Sequence, residues 1–255
     1  MSDADQNEPR RIVRDMPLTR LLPNMLTMLS LCSGLSAMRF ALQDKWEAAA
    51  LAIVIASVFD VLDGRVARLL NITSKFGAEL DSLADLISFG VAPGFVLYLW
   101  VLRDGEGLGW IAVLAFVVCT ALRLARFNTM LEDHSAPAWA KSYFTGVPAP
   151  AGAGLALLPL FLALEFGDML KPPPQAMAIW LLIVGGLMVS RLPTLSIKGR
   201  RIAPVMVAPV MVLACLFVAM MITKTWLTLS IAGAVYLLSV PYGSYSYRRR
   251  ARRDL

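Results

Sequence analysis

The stretch FDVLDGRVARLLNITSKFGAELDSLAD, residues 59–85, decides how this chain must fold, because it sets four acidic side chains within otherwise apolar sequence. These side chains are Asp60, Asp63, Asp81 and Asp85. An unpaired carboxylate near the middle of a bilayer costs about 2.5–3.5 kcal/mol on the translocon scale. Four of them, held in two pairs, therefore need a compensating partner.

The composition outside this stretch is that of a membrane protein. Of the 255 residues, 58% are hydrophobic and 16% are charged, whereas soluble domains carry about 25% charged residues. Apolar runs near the roughly 20 residues needed to cross a bilayer fill the chain from residue 22 to residue 243. We predict an all-α fold, a polytopic bundle of about eight transmembrane helices in one domain, residues 21–243. The expected spans are residues 22–42, 46–70, 77–102, 108–130, 146–166, 175–193, 203–222 and 225–243.

Basic residues predict the orientation of these spans. With the N-terminus in the cytoplasm, only five of the 24 Lys and Arg residues fall on the far side of the membrane. These five are Arg39, Lys45, Arg103, Lys171 and Lys224. The positive-inside rule thus predicts that both termini and the loop near residues 70–77 are cytoplasmic, and it explains the net charge of +6 without a nucleic-acid partner.

The two ends of the chain are polar. Residues 1–20 alternate arginines with apolar side chains, which is typical of a short interfacial segment that contacts anionic lipid headgroups. A cleaved signal peptide fits this segment less well, because its polar part is long. Residues 244–255 form a basic tail, which we interpret as a positive-inside anchor.

Cysteine and histidine chemistry is not predicted. Cys32, Cys119 and Cys215 lie within apolar runs and show no metal-ligand spacing, and His134 lies in a polar loop. Neither a disulfide framework nor a zinc site follows from such a pattern.

Helix rise places the acidic pairs near one face of the membrane. The apolar run before Asp60, residues 48–59, covers about 18 Å at 1.5 Å per residue, so the second helix must continue through its acidic pair before it leaves the bilayer. The apolar run of the third span begins only after Asp85. Both pairs are therefore expected at the cytoplasmic ends of two antiparallel neighbours.

The spacing within each pair aligns the carboxylates. Asp60 and Asp63 are related as i and i+3, and Asp81 and Asp85 as i and i+4, so each pair shares one helix face. A cluster that offers only oxygen ligands suits hard cations such as Mg²⁺ or Mn²⁺. Two such ions can clamp a phosphoryl group.

Neighbouring residues are suited to a nucleotide diphosphate. Gly64, Ala67 and Gly77 remove side-chain bulk beside the carboxylates, and the Arg68 guanidinium is a fork donor for diphosphate oxygens. Taken singly, each is equally explained by helix packing or by the positive-inside rule. The acidic quartet has no comparable structural explanation, because it would need matching cations from the protein itself.

The pattern Asp60-x-x-Asp63-Gly64-x-x-Ala67-Arg68, eight residues, Gly77-x-x-x-Asp81-x-x-x-Asp85 resembles the full signature of the CDP-alcohol phosphotransferase family. The resemblance implies transfer of a substituted phosphoryl group from a CDP-linked donor to an alcohol, with release of CMP. It also implies an integral membrane homodimer that uses two Mg²⁺ or Mn²⁺ ions.

Further segments are similar to the integral-membrane bacterial phosphatidylserine synthases, a branch of that family. They are residues 21–37, 76–93, 121–128 and 143–154. This resemblance implies CDP-diacylglycerol as donor, L-serine as acceptor and a location in the inner membrane.

The resemblance also implies roles for single residues. It assigns metal binding to the four aspartates and makes Asp85 the general base on the acceptor hydroxyl. It places the nucleotide and its diphosphate against Gly64, Ala67, Arg68, Gly77, Asn24 and Thr27. Asn24 and Thr27 are also explained as capping residues of the first helix.

The acceptor pocket is predicted from charge. Serine carries a carboxylate, so an arginine is expected near the metal site. Arg123, Arg126 and Asn128, at the cytoplasmic end of the fourth span, are candidates for acceptor or phosphate contacts, and a purely topological role for the two arginines stays open.

Two alternatives to a serine transferase stay open. In the alternative within the family, the acceptor would be glycerol 3-phosphate or choline, and the protein would be a phosphatidylglycerophosphate or phosphatidylcholine synthase. Outside the family, a divalent-cation transporter would use the carboxylates as its ion site.

Overall fold

The chain folds into a bundle of helices joined mostly by short turns. The computed structural model describes residues 21–70, 74–132, 143–190, 193–195 and 206–251. The α-helices in these ranges are α1 (Leu22–Ala41), α2 (Trp46–Leu69), α3 (Lys75–Asp85), α4 (Ala92–Trp100), α5 (Glu106–Glu132), α6 (Ala149–Ala156), α7 (Leu158–Phe166), α8 (Pro174–Val189), α9 (Val207–Thr223) and α10 (Thr225–Ala251).

Shorter elements connect some of these helices. A π-helical segment, Leu86–Val91, joins α3 directly to α4, and 3₁₀ turns occupy Leu102–Gly105 and Asp168–Leu170. Strands β1 (Tyr143–Thr145) and β2 (Pro193–Leu195) form an antiparallel pair, which the all-α prediction did not include.

Local sequence explains where several helices begin and end. Pro23 lies in the first turn of α1, where a missing N–H costs nothing. Ser74 caps α3, since its Oγ accepts a hydrogen bond from the Gly77 N–H at 3.0 Å. Gly167, with a φ of +86°, ends α7 in a conformation that glycine adopts without strain.

Helices α1 and α2 form a close antiparallel hairpin. Alanines line much of the buried face of α2, and Ser30 and Ser33 of α1 donate to the Ala56 and Ala52 carbonyls at 3.0 and 2.8 Å. Small residues of this kind let helices in membranes approach each other closely. The hairpin therefore holds the C-terminal half of α2, which carries Asp60 and Asp63, firmly against α1.

A hydrophobic core lies between this hairpin and the helices that follow it. Its largest fully buried side chains include Phe89, Leu97, Phe116, Leu157, Leu160, Leu181 and Met188. These side chains come from the π-helical segment and from α4, α5, α7 and α8, with Leu157 at the α6–α7 break. By contrast, none of the residues of α9 is buried.

The helices identify a membrane protein. Two stretches, Lys75–Trp100 and Gly107–Thr129, are long and apolar enough to cross a membrane, and the α6–α7 pair, bent by 43°, makes a third if it is counted as one span. Helices α8 and α9 and the first part of α10 are apolar but shorter. Length and composition therefore confirm a helical membrane protein but do not establish eight spans.

Each of the eight predicted segments contains helix, although the fifth is broken at Leu157. The predicted interfacial segment, residues 1–20, lies outside the described residues. The backbone of α10 remains helical to Ala251, into the predicted basic tail, residues 244–255.

Candidate active site

Three of the four aspartates converge where α2 meets α3. Asp60, Asp63 and Asp81 each offer one carboxylate oxygen, and these oxygens lie within 4.8 Å of one another. Asp63 is buried, with 5% of its surface exposed, while Asp60 and Asp81 are half-buried. Helical spacing brings Asp60 and Asp63 to one face of α2, and α3, which packs against α1, brings Asp81 to the same point.

The fourth carboxylate lies to one side of this cluster. The Asp85 side chain lies close to that of Asp60 but is not part of the group of three. The Arg123 guanidinium is close enough to interact electrostatically with both Asp60 and Asp85. Asp85 is therefore bordered by a cation of the protein as well as by the cluster.

Thr27 orients the most buried carboxylate. Its hydroxyl lies 2.7 Å from Asp63 Oδ2 and 3.1 Å from the Pro23 carbonyl, and the threonine is itself only 4% exposed. A buried hydrogen bond to a carboxylate fixes which oxygen points toward a ligand. The threonine predicted to edge the nucleotide pocket thus directly contacts a predicted metal ligand.

A cavity of about 150 Å³ opens beside Asp63 and Asp81. Its lining brings together residues from α1, α2 and α3 and the Ser74 cap. The lining residues are Pro23, Asn24, Thr27, Asp63, Gly64, Ala67, Ser74, Gly77, Ala78 and Asp81.

Small residues keep this cavity open. A Cβ added at Gly77 would lie 3.1 Å from Asn24 Oδ1 and 3.1 Å from Ser74 Oγ, so a side chain there would crowd the cavity wall. At Gly64 the nearest atom to an added Cβ is Arg68 Nη2, at 3.8 Å. Arg68 is exposed and does not line the cavity, but its guanidinium reaches back beside Gly64.

The three polar residues predicted on α5 face different neighbours. Arg123 lies near Asp60 and Asp85, and its guanidinium carbon is 5.7 Å from the centre of the Phe127 ring. Arg126 Nη1 donates to the Val189 carbonyl at the end of α8, at 2.7 Å. Asn128 Nδ2 donates to Ser82 Oγ at 2.9 Å. Of the three, Arg123 alone interacts with the carboxylates.

The donor set fits divalent cations. The clustered ligand atoms are carboxylate oxygens from three residues, which is the ligand type that Mg²⁺ and Mn²⁺ prefer. Thr27 supplies the outer hydrogen bond that usually orients such a ligand. Glu79, on the same helix as Asp81, is exposed and stands outside the cluster.

Several residues at the site were not singled out from the sequence. Ser74 has a recognisable signal, since a serine just before a helical pattern is typical of an N-cap. Ser82 and Tyr236 have none, because their relation to α5 depends on contacts between distant parts of the chain. Tyr236 of α10 interacts electrostatically with Arg123.

Comparisons with known proteins agree with this geometry. A family profile described as CDP-alcohol phosphatidyltransferase matches residues 20–190, and a second, described as CDP-alcohol phosphatidyltransferase 2, matches residues 205–241.

Similar curated proteins share one name. The CDP-diacylglycerol–serine O-phosphatidyltransferase of Mycobacterium leprae is 38% identical over 229 residues, which cover 90% of this chain and 76% of the relative. The Helicobacter pylori 26695 protein of that name is 36% identical over 68% of this chain and 70% of its own length. The Bacillus subtilis protein of that name is 36% identical over 56% of this chain and 80% of its own length.

Proposed function

Since the chain belongs to the CDP-alcohol phosphatidyltransferase family, we propose that it is a phosphatidylserine synthase. It transfers the phosphatidyl group from CDP-diacylglycerol to L-serine and releases CMP. The observation that carries the choice of acceptor is the 38% identity, over 90% of this chain, to a relative named as a serine O-phosphatidyltransferase. The placement of Arg123 beside Asp85 supports it, because serine brings a carboxylate that needs a cationic partner.

The metal site in this proposal is formed by the carboxylates of Asp60, Asp63 and Asp81, and Asp85 lies at its edge. When bound there, two divalent ions, Mg²⁺ or Mn²⁺, would supply charge neutralisation for the diphosphate and for the departing CMP. Thr27 keeps Asp63 in the orientation that metal binding requires.

The small-residue cavity receives the nucleotide. Gly64, Ala67 and Gly77 leave room for the cytidine, and Asn24 offers an amide at the cavity wall. Arg68 lies at the rim of the site, where its guanidinium reaches the diphosphate oxygens.

Asp85 acts as the general base. It takes the proton of the serine hydroxyl, and the serine oxygen then attacks the phosphorus that carries diacylglycerol. A new phosphorus–oxygen bond forms as the bond to the CMP oxygen breaks, so the serine proton ends on Asp85 and the electron pair leaves with CMP. Arg123 binds the serine carboxylate and so directs the hydroxyl toward Asp85.

The membrane arrangement completes the proposal. We expect eight spans in the inner membrane, with residues 21–243 as the transmembrane domain and both termini and the site on the cytoplasmic side. The donor's acyl chains stay in the bilayer. A homodimer is expected from the resemblance to the family.

An acceptor panel tests the proposal. Purified full-length protein is incubated with CDP-diacylglycerol, Mn²⁺ and one acceptor at a time, and CMP release is measured. We expect release with L-serine and none above background with glycerol 3-phosphate or choline, and we expect chelation of the metal with EDTA to abolish it.

Two outcomes would overturn the proposal. Release with glycerol 3-phosphate or choline but not with serine would make the protein a different transferase of the same family. No release with any acceptor, together with Mn²⁺ flux into proteoliposomes that Asp81→Asn abolishes, would identify a cation transporter.

A further inference from the structure

Helix α3 carries Asp81 and Asp85 but has little apolar contact to hold it. Among its residues only Ala84 is buried, and Phe76 and Leu83 are 68% and 61% exposed. Packing that fixes side chains within a fraction of an ångström normally comes from buried contacts. Because few of its side chains are buried, hydrogen bonds to neighbouring helices contribute to its position in addition to its packing against α1.

The structure shows such an interaction on the α5 side. Asn128 Nδ2 donates to Ser82 Oγ at 2.9 Å, and the Ser82 hydroxyl lies 3.1 Å from the Ala78 carbonyl one turn earlier. Ser82 directly follows Asp81, and Ala78 and Asp81 both line the cavity. The Asn128–Ser82 hydrogen bond therefore connects α5 to the turn of α3 that carries Asp81, a predicted metal ligand.

Helix α5 also packs against the π-helical segment and α4, which continue from α3. A Cβ added at Gly90 would lie 3.1 Å from Thr120, and one added at Gly94 would lie 3.1 Å from Val113, so α5 is in close contact with both elements. Among the described residues α3 itself has few contacts with α5, and the Ser82–Asn128 hydrogen bond joins the two helices there.

We infer that Asn128 is a positioning residue, which holds Asp81 in the metal site through Ser82 and does not bind the acceptor. This inference rests on the proposed function, in which Asp81 is a metal ligand. The sequence predicted that Asn128, like Arg123 and Arg126, contacts the acceptor or a phosphate. In the structure the Asn128 amide nitrogen instead donates a hydrogen bond to Ser82 of α3.

Two measurements separate a positioning role from acceptor binding. One is Mn²⁺ binding to the purified full-length protein without substrate, measured by electron paramagnetic resonance. The other is the KM for serine at saturating Mn²⁺. We expect Asn128→Ala to weaken Mn²⁺ binding about tenfold, the lower end of what loss of an outer hydrogen bond costs metal sites, and to leave the KM for serine unchanged.

Matched variants guard against a general folding defect. Ser82→Ala should reproduce the loss, the double variant should lose no more than either single one, and Ser82→Thr, which keeps a hydroxyl, should restore binding. Thr129→Ala is the control, because the Thr129 hydroxyl is exposed and lies 2.9 Å from the Arg126 carbonyl of its own helix. It should change neither quantity.

A raised KM for serine with unchanged Mn²⁺ affinity in Asn128→Ala would overturn the inference, and so would full Mn²⁺ affinity in Ser82→Ala. Failure of the proposed function is distinguishable. A wild-type protein that uses another acceptor would overturn the serine assignment, while the Mn²⁺ results for Ser82 and Asn128 would still stand.

Discussion

At the scale of single residues, the four aspartates have different surroundings. Asp60, Asp63 and Asp81 present their oxygens to one point, whereas Asp85 lies close to Asp60 and to Arg123. Because Asp85 is not among the clustered ligand atoms, its carboxylate is available to take a proton from a substrate. The three others are suited to holding cations.

This difference predicts different effects of removing each charge. Asp60→Asn and Asp81→Asn should abolish CMP release and strongly weaken Mn²⁺ binding, because each removes a clustered ligand. Asp85→Asn should lower the rate by about 10²–10⁴-fold, as loss of a general base does, and should spare much of the Mn²⁺ affinity. Mn²⁺ titrations followed by electron paramagnetic resonance, together with rates of CMP release, check both effects.

Glu79→Gln is the matched control for these variants, since it removes an exposed acid from the helix that carries Asp81. It should change neither Mn²⁺ binding nor rate. An equal loss of metal binding in Asp60→Asn, Asp81→Asn and Asp85→Asn would remove the separate role of Asp85 as base.

The Thr27 hydroxyl gives a second prediction at this scale. Thr27→Val keeps the shape of the side chain but removes the 2.7 Å hydrogen bond to Asp63, so Mn²⁺ affinity should fall about tenfold. Thr27→Ser should retain it. If Thr27→Val raised the KM for CDP-diacylglycerol and left Mn²⁺ affinity unchanged, Thr27 would be a nucleotide contact, as the sequence first indicated.

At the scale of elements, the π-helical segment after Asp85 is the main irregularity near the site. The Ala92 N–H donates to the Ile87 carbonyl five residues earlier, which widens the helix for one turn. Within this turn Ser88 packs against α1, and its hydroxyl donates to the Ser30 carbonyl at 3.1 Å. The segment thus ties the helix that carries Asp85 to α1, and through α1 to α2.

Gly34 makes this contact possible. A Cβ added there would lie 2.7 Å from Ser88 Oγ and 2.8 Å from Ser88 Cα, and the Cα cannot move without the helix. Gly34→Ala should therefore destabilise the protein by about 1–3 kcal/mol, the usual cost of overpacking, and lower its melting temperature in detergent.

Gly186→Ala of α8 is the control, because no heavy atom of the neighbouring described elements lies within 4 Å of an added Cβ. It should be neutral or slightly stabilising, since alanine favours helix over glycine. Equal melting temperatures for Gly34→Ala and Gly186→Ala would contradict this prediction, because they would mean that α1 and the π-helical segment can move apart at little cost in free energy.

At the scale of the whole molecule, the orientation in the membrane is predicted from charge. The positive-inside rule predicts that residues 244–255 are in the cytoplasm and that the turn Leu102–Gly105 is on the other side. In a variant whose three cysteines are replaced, Ser244→Cys should react with an impermeant thiol reagent only in inverted vesicles. Asp104→Cys should react only in right-side-out vesicles.

Labelling of both positions from the same side would contradict the predicted topology. Activity of the cysteine-free parent serves as the control that the fold is kept. Cys32 and Cys215 are exposed in the structure and Cys119 is partly buried, so their replacement disturbs little packing.

Sequence patterns anticipated much of the fold and only part of the site. Apolar runs located the helices, because crossing a bilayer needs length and hydrophobicity that can be read within one segment. They did not reveal the break at Leu157, the strands β1 and β2 or the π-helical segment, since each depends on packing between segments. The family and the type of reaction were predicted from the signature and are confirmed by the relatives.

The sequence by itself determined the membrane class of this protein and the spacing of its acidic pairs, because hydropathy and helical periodicity are properties of continuous segments. Only the tertiary structure decided which carboxylates converge, that Thr27 binds Asp63, and that Arg126 and Asn128 point to α8 and α3 while Arg123 points to the acids. These relations depend on how helices far apart in the chain cross and pack. No spacing within one segment specifies such crossings.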